Sequence, residues 1–214
     1  MIKKLMQIIY PSKCIFCDKD LEFNKQIDIC SECYKKLTFA DNSKSEKSYV
    51  DEVYSAVEYK GEVKKAIKRF KYQNKAYLFR TFARLILNSI EKNNIKADII
   101  VSIPLHMDRE VERGYNQSEL IAKELSKNMK IKYSNKILKR EKTTAHLAKC
   151  NKKERKHMIE GVFKVIAPDI IKDKVVIVVD DVYTTGATIN ECGKVLKLGG
   201  AKKVIAITVA KVVI

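Results

Sequence analysis

The sequence lacks several features that mark common classes of protein. No apolar run approaches the roughly 20 residues that a helix needs to cross a bilayer. There is no internal repeat and no low-complexity tract, and a hydrophobic content of 46% is typical of a globular chain. A Gly-rich run ending in Gly-Lys is also absent, which excludes a Walker A nucleotide-binding loop. The 214 residues suit one medium domain with a small appendage.

A secretory leader is not expected either. Residues 1–14 contain two lysines and a short apolar stretch, but Gln7 interrupts this stretch and no small-residue cleavage site precedes Cys14. We therefore expect residues 1–11 to form a short helix or arm that leads into a cysteine-rich module. Nothing else in the sequence indicates an oxidising compartment, so the expected location is the cytoplasm.

Positive charge is abundant and unevenly distributed. The formal net charge is +17. Residues 130–160 hold eleven Lys or Arg against three acids, and residues 60–75 hold seven against one. Clustered cations gain affinity for a polyanion by releasing its counterions, which favours a phosphate-rich partner. A solvated, lysine-rich surface explains each cluster equally well, and both interpretations remain open here.

Four of the six cysteines form two CxxC pairs, Cys14 with Cys17 and Cys30 with Cys33, separated by twelve residues. Two such pairs can place four thiolates around one tetrahedral Zn²⁺ ion. A disulfide pair would need an oxidising compartment, and a redox CxxC motif is not normally doubled. The spacing therefore predicts structural zinc in residues 1–40, followed by a linker at 41–51. Cys150 and Cys192 are expected to be ordinary, with Cys192 on a buried helix face.

The remaining residues, 52–214, alternate between strand and helix patterns. Alternation of this kind predicts an α/β domain with a mainly parallel sheet flanked by helices. The predicted strands begin at Val53 and cover Ile99–Ile103, Val175–Val179 and Val204–Val209. The predicted helices cover Glu62–Tyr72, Ala76–Lys92, Asn116–Asn128 and Thr188–Leu198.

The strongest motif follows the predicted strand Val175–Val179. Asp180 and Asp181 come first, and the chain then continues through Thr184, Thr185, Gly186, Ala187 and Thr188 into a helix. Adjacent carboxylates can accept hydrogen bonds from a vicinal diol, and one can lie near a divalent ion. Small residues at a helix N-terminus bind phosphate through backbone N–H groups. A turn with Asp and Thr as helix caps explains one or two of these residues but not the whole run.

This segment resembles the phosphoribosyl-pyrophosphate signature of type I phosphoribosyltransferases. The resemblance implies that Asp180 and Asp181 hold the ribose hydroxyls, as the catalytic acidic pair of such an enzyme. It also implies that the 5-phosphate is held by Thr184, Thr185, Gly186, Ala187 and Thr188. Mg²⁺ would accompany phosphoribosyl pyrophosphate.

A second resemblance covers nearly the whole chain. The segment Ile103-Pro104-Leu105-His106, then Arg109, then Arg113-Gly114-Tyr115-Asn116-Gln117, is similar to the signature of the ComF family. So are Tyr59-Lys60-Gly61, Phe70-Lys71-Tyr72, the segment from Arg155 to Phe163 and the four-cysteine module in front of the α/β domain. The family usually has Gln near position 146 and Asn near position 158, where this sequence has His146 and Met158.

In the parent superfamily, the position of Pro104, Leu105 and His106 is the pyrophosphate loop. Arg109 and Arg113 are four residues apart, so a helical turn would place both on one face. Two guanidinium groups there could clamp a diphosphate or contact a nucleic-acid backbone. Each arginine could instead form a surface ion pair with Glu110 or Glu112. His106 could act as an acid or base, or as a packed loop residue.

Three functions remain open at this point. By resemblance, a ComF-type competence protein binds phosphoribosyl pyrophosphate or a related ribose phosphate. It handles single-stranded DNA during uptake and transformation, with a DNA-uptake helicase or other competence proteins as partners near the inner face of the membrane. An active phosphoribosyltransferase would transfer its sugar to a nitrogen base, and a sensor would bind the ligand without chemistry. The sequence identifies no acceptor base and no oligomeric state.

Overall fold

The structure, a computed structural model, describes residues 12–21, 27–40, 43–44, 48–141 and 159–213. The helices are α1 (Ser31–Lys35), α2 (Gly61–Tyr72), α3 (Phe79–Lys92), α4 (Met107–Arg113), α5 (Gln117–Met129) and α6 (Ala187–Leu198). The strands are β1 (Ser43–Lys44), β2 (Glu52–Glu58), β3 (Ile99–Ser102), β4 (Lys132–Tyr133), β5 (Leu138–Arg140), β6 (Phe163–Val165), β7 (Val175–Tyr183) and β8 (Lys203–Lys211). The predicted arm at 1–11 lies outside the described residues, as do His146, Cys150, Arg155 and Met158.

Six strands form the main sheet in the order β1-β2-β8-β7-β3-β4. Only β1 is antiparallel to its neighbour, and the other four pairs are parallel. The central strands β7 and β8 are apolar on both faces, as strands in a parallel sheet covered by helices must be. Val176–Val179 is fully buried. The predicted α/β class with a parallel sheet flanked by helices is confirmed.

Helices cover both faces of the sheet because each has one apolar stripe. On one face, α2, α3 and α5 pack together, and the buried side of α2 consists of Val63, Ala66, Ile67 and Phe70. On the other face, α6 packs with the short β5–β6 sheet. The predicted helix Ala76–Lys92 is divided, because Ala76–Leu78 forms a 3-10 turn before α3 begins at Phe79.

The cysteine module packs directly on the α2–α3 face. Cys14, Ile15 and Phe16 are buried in the same apolar cluster as the side chains of α2. Arg69, in the last turn of α2, donates a hydrogen bond to the backbone carbonyl of Ile15 and lies 3.5 Å from Asp18. The module is therefore attached to the helix that ends beside the ligand edge described below.

The described part of residues 41–51, where a linker is predicted, contacts the α/β domain at several places. Ser43–Lys44 adds the antiparallel strand β1 to the sheet. Ser48 donates a hydrogen bond of 2.6 Å to the side chain of Asn190 on α6, and Val50 is fully buried beside that helix. These contacts could not be predicted from a polar stretch without periodicity.

The order of the strands creates a crevice between β3 and β7. The chain passes from β3 outwards to β4 and then returns to β7 on the other side of β3. Ligands of open α/β sheets bind at such a reversal, beyond the carboxyl ends of the strands. The N–H group of Ile103 donates to the carbonyl of Val179 at 3.1 Å, so the segments after β3 and β7 leave the sheet side by side. None of the described helices is long and apolar enough to cross a membrane.

Candidate ligand site at the β3–β7 edge

The acidic pair lies on a strand, not on a turn. The sequence predicts that the strand ends at Val179, but β7 continues to Tyr183 because Asp180, Val182 and Tyr183 still pair with β8. Strand geometry directs neighbouring side chains to opposite faces, so Asp180 and Asp181 find different partners.

Asp180 is held by two donors at one oxygen. Its Oδ1 atom accepts a hydrogen bond of 3.0 Å from the hydroxyl of Ser118 and one of 2.8 Å from the N–H group of Asp181. Burial raises the pKa of Asp180 to about 6, and the neighbouring charge of Asp181 acts in the same direction. The charge of Lys71 and the two hydrogen bonds oppose this shift.

Asp181 forms an ion pair with Lys71, whose Nζ atom lies 2.7 Å from Oδ1. Asp181 is 6% exposed. Burial alone would lower the pKa of Lys71, but the charge of Asp181, its hydrogen bond and the charge of Asp180 together outweigh burial, and the net shift is upward. Sequence reasoning counted Lys71 only within the basic cluster at 60–75. Its place in the Phe70-Lys71-Tyr72 motif was the signal that could have identified it.

The loop after β7 presents free backbone donors to the crevice. No described residue accepts a hydrogen bond from the N–H groups of Thr184, Thr185 or Gly186. Gly186 has a left-handed φ of +74°, and a Cβ there would lie 2.7 Å from Cζ of Tyr183. Glycine is therefore required at this turn. Helix α6 begins at Ala187, one residue before the predicted start, and Thr188 lies in its first turn.

The loop after β3 contains Pro104 and Leu105, both half-buried, and leads into α4 through His106. The Nδ1 atom of His106 caps α4 by accepting a hydrogen bond of 3.3 Å from the N–H group of Asp108. The same atom lies 3.2 Å from the Asp108 carboxylate. His106 is therefore a helix cap at the edge of the crevice, which corresponds to the expectation of a loop residue with a structural role.

Both arginines of the second motif lie on α4, four residues apart, so they share one face as expected. Neither pairs with Glu110 or Glu112 among the described residues. Arg113 donates to the Oε1 atom of Gln117 at 2.9 Å.

A further arginine, Arg140, lies on β5, with its guanidinium 5.4 Å from the centre of the Phe163 ring. Burial lowers the pKa of Arg140, and the charge of Arg109 acts in the same direction. Arg140 was not among the predicted site residues, because it falls on β5, a strand that the sequence pattern did not reveal.

The segment from Arg113 to Ser118 joins several elements at the crevice. Tyr115 donates a hydrogen bond to the carbonyl of Phe70, and Asn116 donates to the carbonyl of Ile103 at 3.1 Å. The side-chain oxygen of Asn116 also caps α5, accepting from the N–H of Ser118 at 3.0 Å. Two buried donors in this segment, Arg113 Nε and Gln117 Nε2, have no protein partner. The motif therefore acts mainly by placing α2, β3 and α5 around the acidic pair.

The four cysteines converge as predicted from their spacing. The sulfur atoms of Cys14, Cys17, Cys30 and Cys33 lie within 4.8 Å of one another. Those of Cys17 and Cys30 are 3.7 Å apart. Ligands at about 2.3 Å from a tetrahedral zinc ion are separated by roughly 3.8 Å. The group could therefore hold a metal ion.

Backbone donors support two of these sulfur atoms. The N–H group of Cys30 lies 3.3 Å from the sulfur of Cys14, and that of Cys33 lies 3.4 Å from the sulfur of Cys30. The bond from Cys33 lowers the pKa of Cys30 to about 7, whereas burial raises the pKa of Cys33. Cys192 is fully buried on α6, as expected, and burial raises its pKa well above the ordinary value.

Comparison with known proteins agrees with the fold. The profile of the family described as phosphoribosyl transferase domain matches residues 71–212. Competence protein F of Haemophilus influenzae is 28% identical over 93% of this chain and 96% of that protein. Competence protein ComFC of Bacillus subtilis is 30% identical over 73% of this chain, which spans 63% of the Bacillus protein.

A solved structure, the purine phosphoribosyltransferase from Pyrococcus horikoshii, is 16% identical, with a TM-score of 0.37 over 63% of this chain and 82% of that one. The family assignment rests instead on the profile match, the sheet order and the two competence proteins. The chain belongs to the phosphoribosyl transferase domain family and, together with those relatives, to the ComF family.

Proposed function

We propose that this protein binds phosphoribosyl pyrophosphate, or a related ribose 5-phosphate, and acts in the cytoplasm during DNA uptake and transformation. The proposed ligand rests on the order of acceptors and donors at the β3–β7 edge of the sheet. Two carboxylates at the end of β7 are followed at once by a loop with three free N–H groups and by a helix N-terminus. A diol beside a phosphate matches this order of acceptors and donors. The competence role is carried over from the relatives.

In this proposal, Asp180 and Asp181 accept hydrogen bonds from the ribose hydroxyls, and the loop Thr184–Thr188 holds the 5-phosphate. The diphosphate lies at the loop Pro104–His106 and is bound by the arginines of α4. The Oδ2 atoms of both aspartates have no protein partner among the described residues. Such hard oxygen ligands fit Mg²⁺, which would offset the charge of a bound diphosphate.

Calorimetric titration with phosphoribosyl pyrophosphate and Mg²⁺ tests the ligand. The double variant Asp180→Asn, Asp181→Asn should lose at least tenfold in affinity, because an amide is a weaker acceptor than a carboxylate. A variant with the same charge change at two exposed positions, Asp169→Asn with Asp173→Asn, should bind as the wild type does. Absence of heat with the wild-type protein would remove the proposal.

A catalytically active phosphoribosyltransferase is the second candidate. The specific observation in its favour is the family match over residues 71–212, combined with an acidic pair on β7 and two arginines on α4, the helix that follows β3. Catalysis would consist of positioning and of stabilising a departing pyrophosphate. Pyrophosphate release in the presence of a panel of nitrogen bases distinguishes this candidate, since a sensor binds the donor and releases none.

Single-stranded DNA is the proposed macromolecular partner. α2 exposes Lys65 and Lys68, and beyond them Tyr72 and Tyr77 are 61% and 54% exposed. Cations interleaved with exposed aromatic rings suit single strands. Phe70 lies in the core and takes no part.

Fluorescence anisotropy with a labelled oligonucleotide tests this part. Affinity should fall steeply between about 50 and 200 mM salt, because bound phosphates release counterions. Tyr72→Ala with Tyr77→Ala should weaken binding roughly tenfold through lost stacking. Tyr49→Ala removes an equally exposed ring near α6 and serves as the control. A flat salt response would contradict a DNA role.

The cysteine module completes the proposal. Zn²⁺ held by Cys14, Cys17, Cys30 and Cys33 would be structural, because four protein ligands leave no open coordination position. A DNA-uptake helicase or another competence protein is the proposed protein partner, and it would bring the chain to the inner face of the membrane. Co-purification of the tagged full-length chain with such a helicase from competent cells tests this, with a Cys17→Ser variant showing whether the module is needed.

A further inference from the structure

Lys71 is a cation at the β3–β7 edge of the sheet, and the function proposed above gives it no role in binding phosphate. Lys71 comes from the last turn of α2 and points at the acidic pair, where its Nζ atom lies 2.7 Å from Oδ1 of Asp181. The two side chains are 23% and 9% exposed, so water screens the pair only in part. An ion pair in the expected position of a ribose requires an explanation.

The bonds to the acidic pair are distributed so that each carboxylate keeps one oxygen free. Oδ1 of Asp180 accepts from Ser118 and from the N–H group of Asp181, and Oδ1 of Asp181 accepts from Lys71. The Oδ2 atoms have no partner among the described residues. A carboxylate can accept several hydrogen bonds. Each Oδ2 atom can therefore accept a bond from a ribose hydroxyl while the bonds at both Oδ1 atoms persist.

Lys71 is also fixed in position by its neighbours in sequence. The carbonyl of Phe70 accepts a hydrogen bond from Tyr115, and the hydroxyl of Tyr72 lies 3.4 Å from a guanidinium nitrogen of Arg113. The same guanidinium lies 5.0 Å from the centre of the Tyr72 ring. The residues on either side of Lys71 are thus tied to the segment that forms the crevice, and the ammonium group has little freedom to leave it.

Two adjacent carboxylates in a poorly solvated place repel each other unless a cation lies between or beside them. We propose that Lys71 is a positioning residue of the ribose site: it supplies the positive charge that a divalent ion would otherwise provide to the acidic pair. Ribose 5-phosphate then binds without Mg²⁺, and Mg²⁺ is recruited only when the ligand carries a diphosphate. This inference rests on the proposed ribose phosphate site.

The wild-type, full-length protein tests the inference directly. Ribose 5-phosphate and phosphoribosyl pyrophosphate are titrated calorimetrically, first in EDTA and then in excess Mg²⁺. We expect Mg²⁺ to change the affinity for ribose 5-phosphate less than threefold. The affinity for phosphoribosyl pyrophosphate should rise at least tenfold when Mg²⁺ is added. If ribose 5-phosphate binds only with Mg²⁺, Lys71 does not replace the ion and the inference is overturned.

Variants at position 71 separate positioning from a merely structural role. In EDTA, Lys71→Met should bind ribose 5-phosphate with at least tenfold lower affinity than the wild type, and Mg²⁺ should restore part of that affinity. Lys71→Arg keeps the positive charge and should bind ribose 5-phosphate without Mg²⁺ as the wild type does. Lys92→Met removes the same charge from an exposed position in the last turn of α3 and should bind both ligands as the wild type does. If Lys71→Met binds ribose 5-phosphate in EDTA as tightly as the wild type does, the role of Lys71 is overturned but the proposed ribose phosphate site is not. If the wild type binds neither ligand under either condition, both the role of Lys71 and the proposed site are overturned.

Discussion

The last turn of α2 contacts both the cysteine module and the acidic pair, and the ligand groups of the two clusters have different partners. At the acidic pair, the chain supplies donors of its own, which are Lys71, Ser118 and a backbone N–H group. At the four cysteines, two N–H groups approach the sulfur atoms, and among the described residues no basic side chain bonds to them. The first cluster is balanced in part by donors of the protein itself, whereas the second brings four sulfur atoms together in a group that could hold a metal ion.

This difference corresponds to the different tasks of the two clusters. A site that exchanges ligands benefits from donors that remain in place when the ligand leaves. A short module with few apolar residues of its own gains its folding free energy from a bound metal.

Removal of two cysteine ligands should have the largest effect. Cys17→Ser with Cys33→Ser should abolish metal binding and destabilise the module by more than about 5 kcal/mol, since structural zinc contributes about 10 kcal/mol or more in small modules. Metal analysis and thermal unfolding measure the loss. Cys192→Ala removes a buried cysteine that is not part of the cluster and should keep one metal ion per chain. Retention of that ion by the double variant would contradict the comparison.

Removal of the internal cation should have the next largest effect. Lys71→Met leaves the charge of Asp181 buried without a partner, which should lower the free energy of unfolding by about 3 kcal/mol. Urea unfolding measures this, with Lys68→Met as the exposed control. Adding Asp181→Asn to Lys71→Met should recover most of the loss. A loss that persists in this double variant would show that packing, rather than charge, explains the effect of Lys71.

The raised pKa of Asp180 predicts a pH dependence. An unfolded aspartate has a pKa of about 3.9, and the folded value is about 6. The folded state therefore binds the proton more tightly, so this contribution to stability is full below about pH 4 and is lost as the pH rises through about 6. From pH 4 to 7, the wild type should lose about 2 kcal/mol relative to Asp180→Asn. If the free energies of unfolding of the wild type and of Asp180→Asn change with pH in parallel, Asp180 is not the source of this pH dependence.

The smallest effect on stability is expected at the phosphate loop. Gly186→Ala should cost about 1 kcal/mol of backbone strain at its left-handed φ. It should also lower the affinity for ribose 5-phosphate about tenfold, because the new Cβ collides with the Tyr183 ring and displaces the phosphate loop. Gly114 has a nearly identical φ of +75° and open space around it, so Gly114→Ala should cost similar stability with no loss of affinity. Equal affinities of the two variants would show that the loop tolerates a side chain.

Periodic and motif-bearing parts of the sequence predicted much of this structure. Buried strands such as Val175–Val179 and the helices with apolar stripes lie where their patterns placed them. The acidic pair and the loop after it were predicted because several residues with one chemical use are adjacent in sequence. The four cysteines converge because CxxC spacing leaves few other geometries.

The missed features depend on contacts between distant segments. Lys71 reaches Asp181 across 110 positions of sequence, and no local pattern records that the last turn of α2 ends beside β7. Arg140 lies on a three-residue strand whose partner β6 follows only after position 162. The end of β7 was placed too early because two acids interrupt its apolar run, and pairing with β8 extends the strand beyond them to Tyr183.

The last turn of α2 has a practical consequence for anyone who wishes to shorten the protein. Arg69 holds the carbonyl of Ile15 in the cysteine module, and Lys71, two residues later, holds Asp181. A trimmed chain that begins at residue 52 would retain every proposed ligand-binding residue, yet it would expose the apolar side of α2 that Ile15 and Phe16 cover. The affinity measured with such a fragment would describe a different site from that of the whole protein.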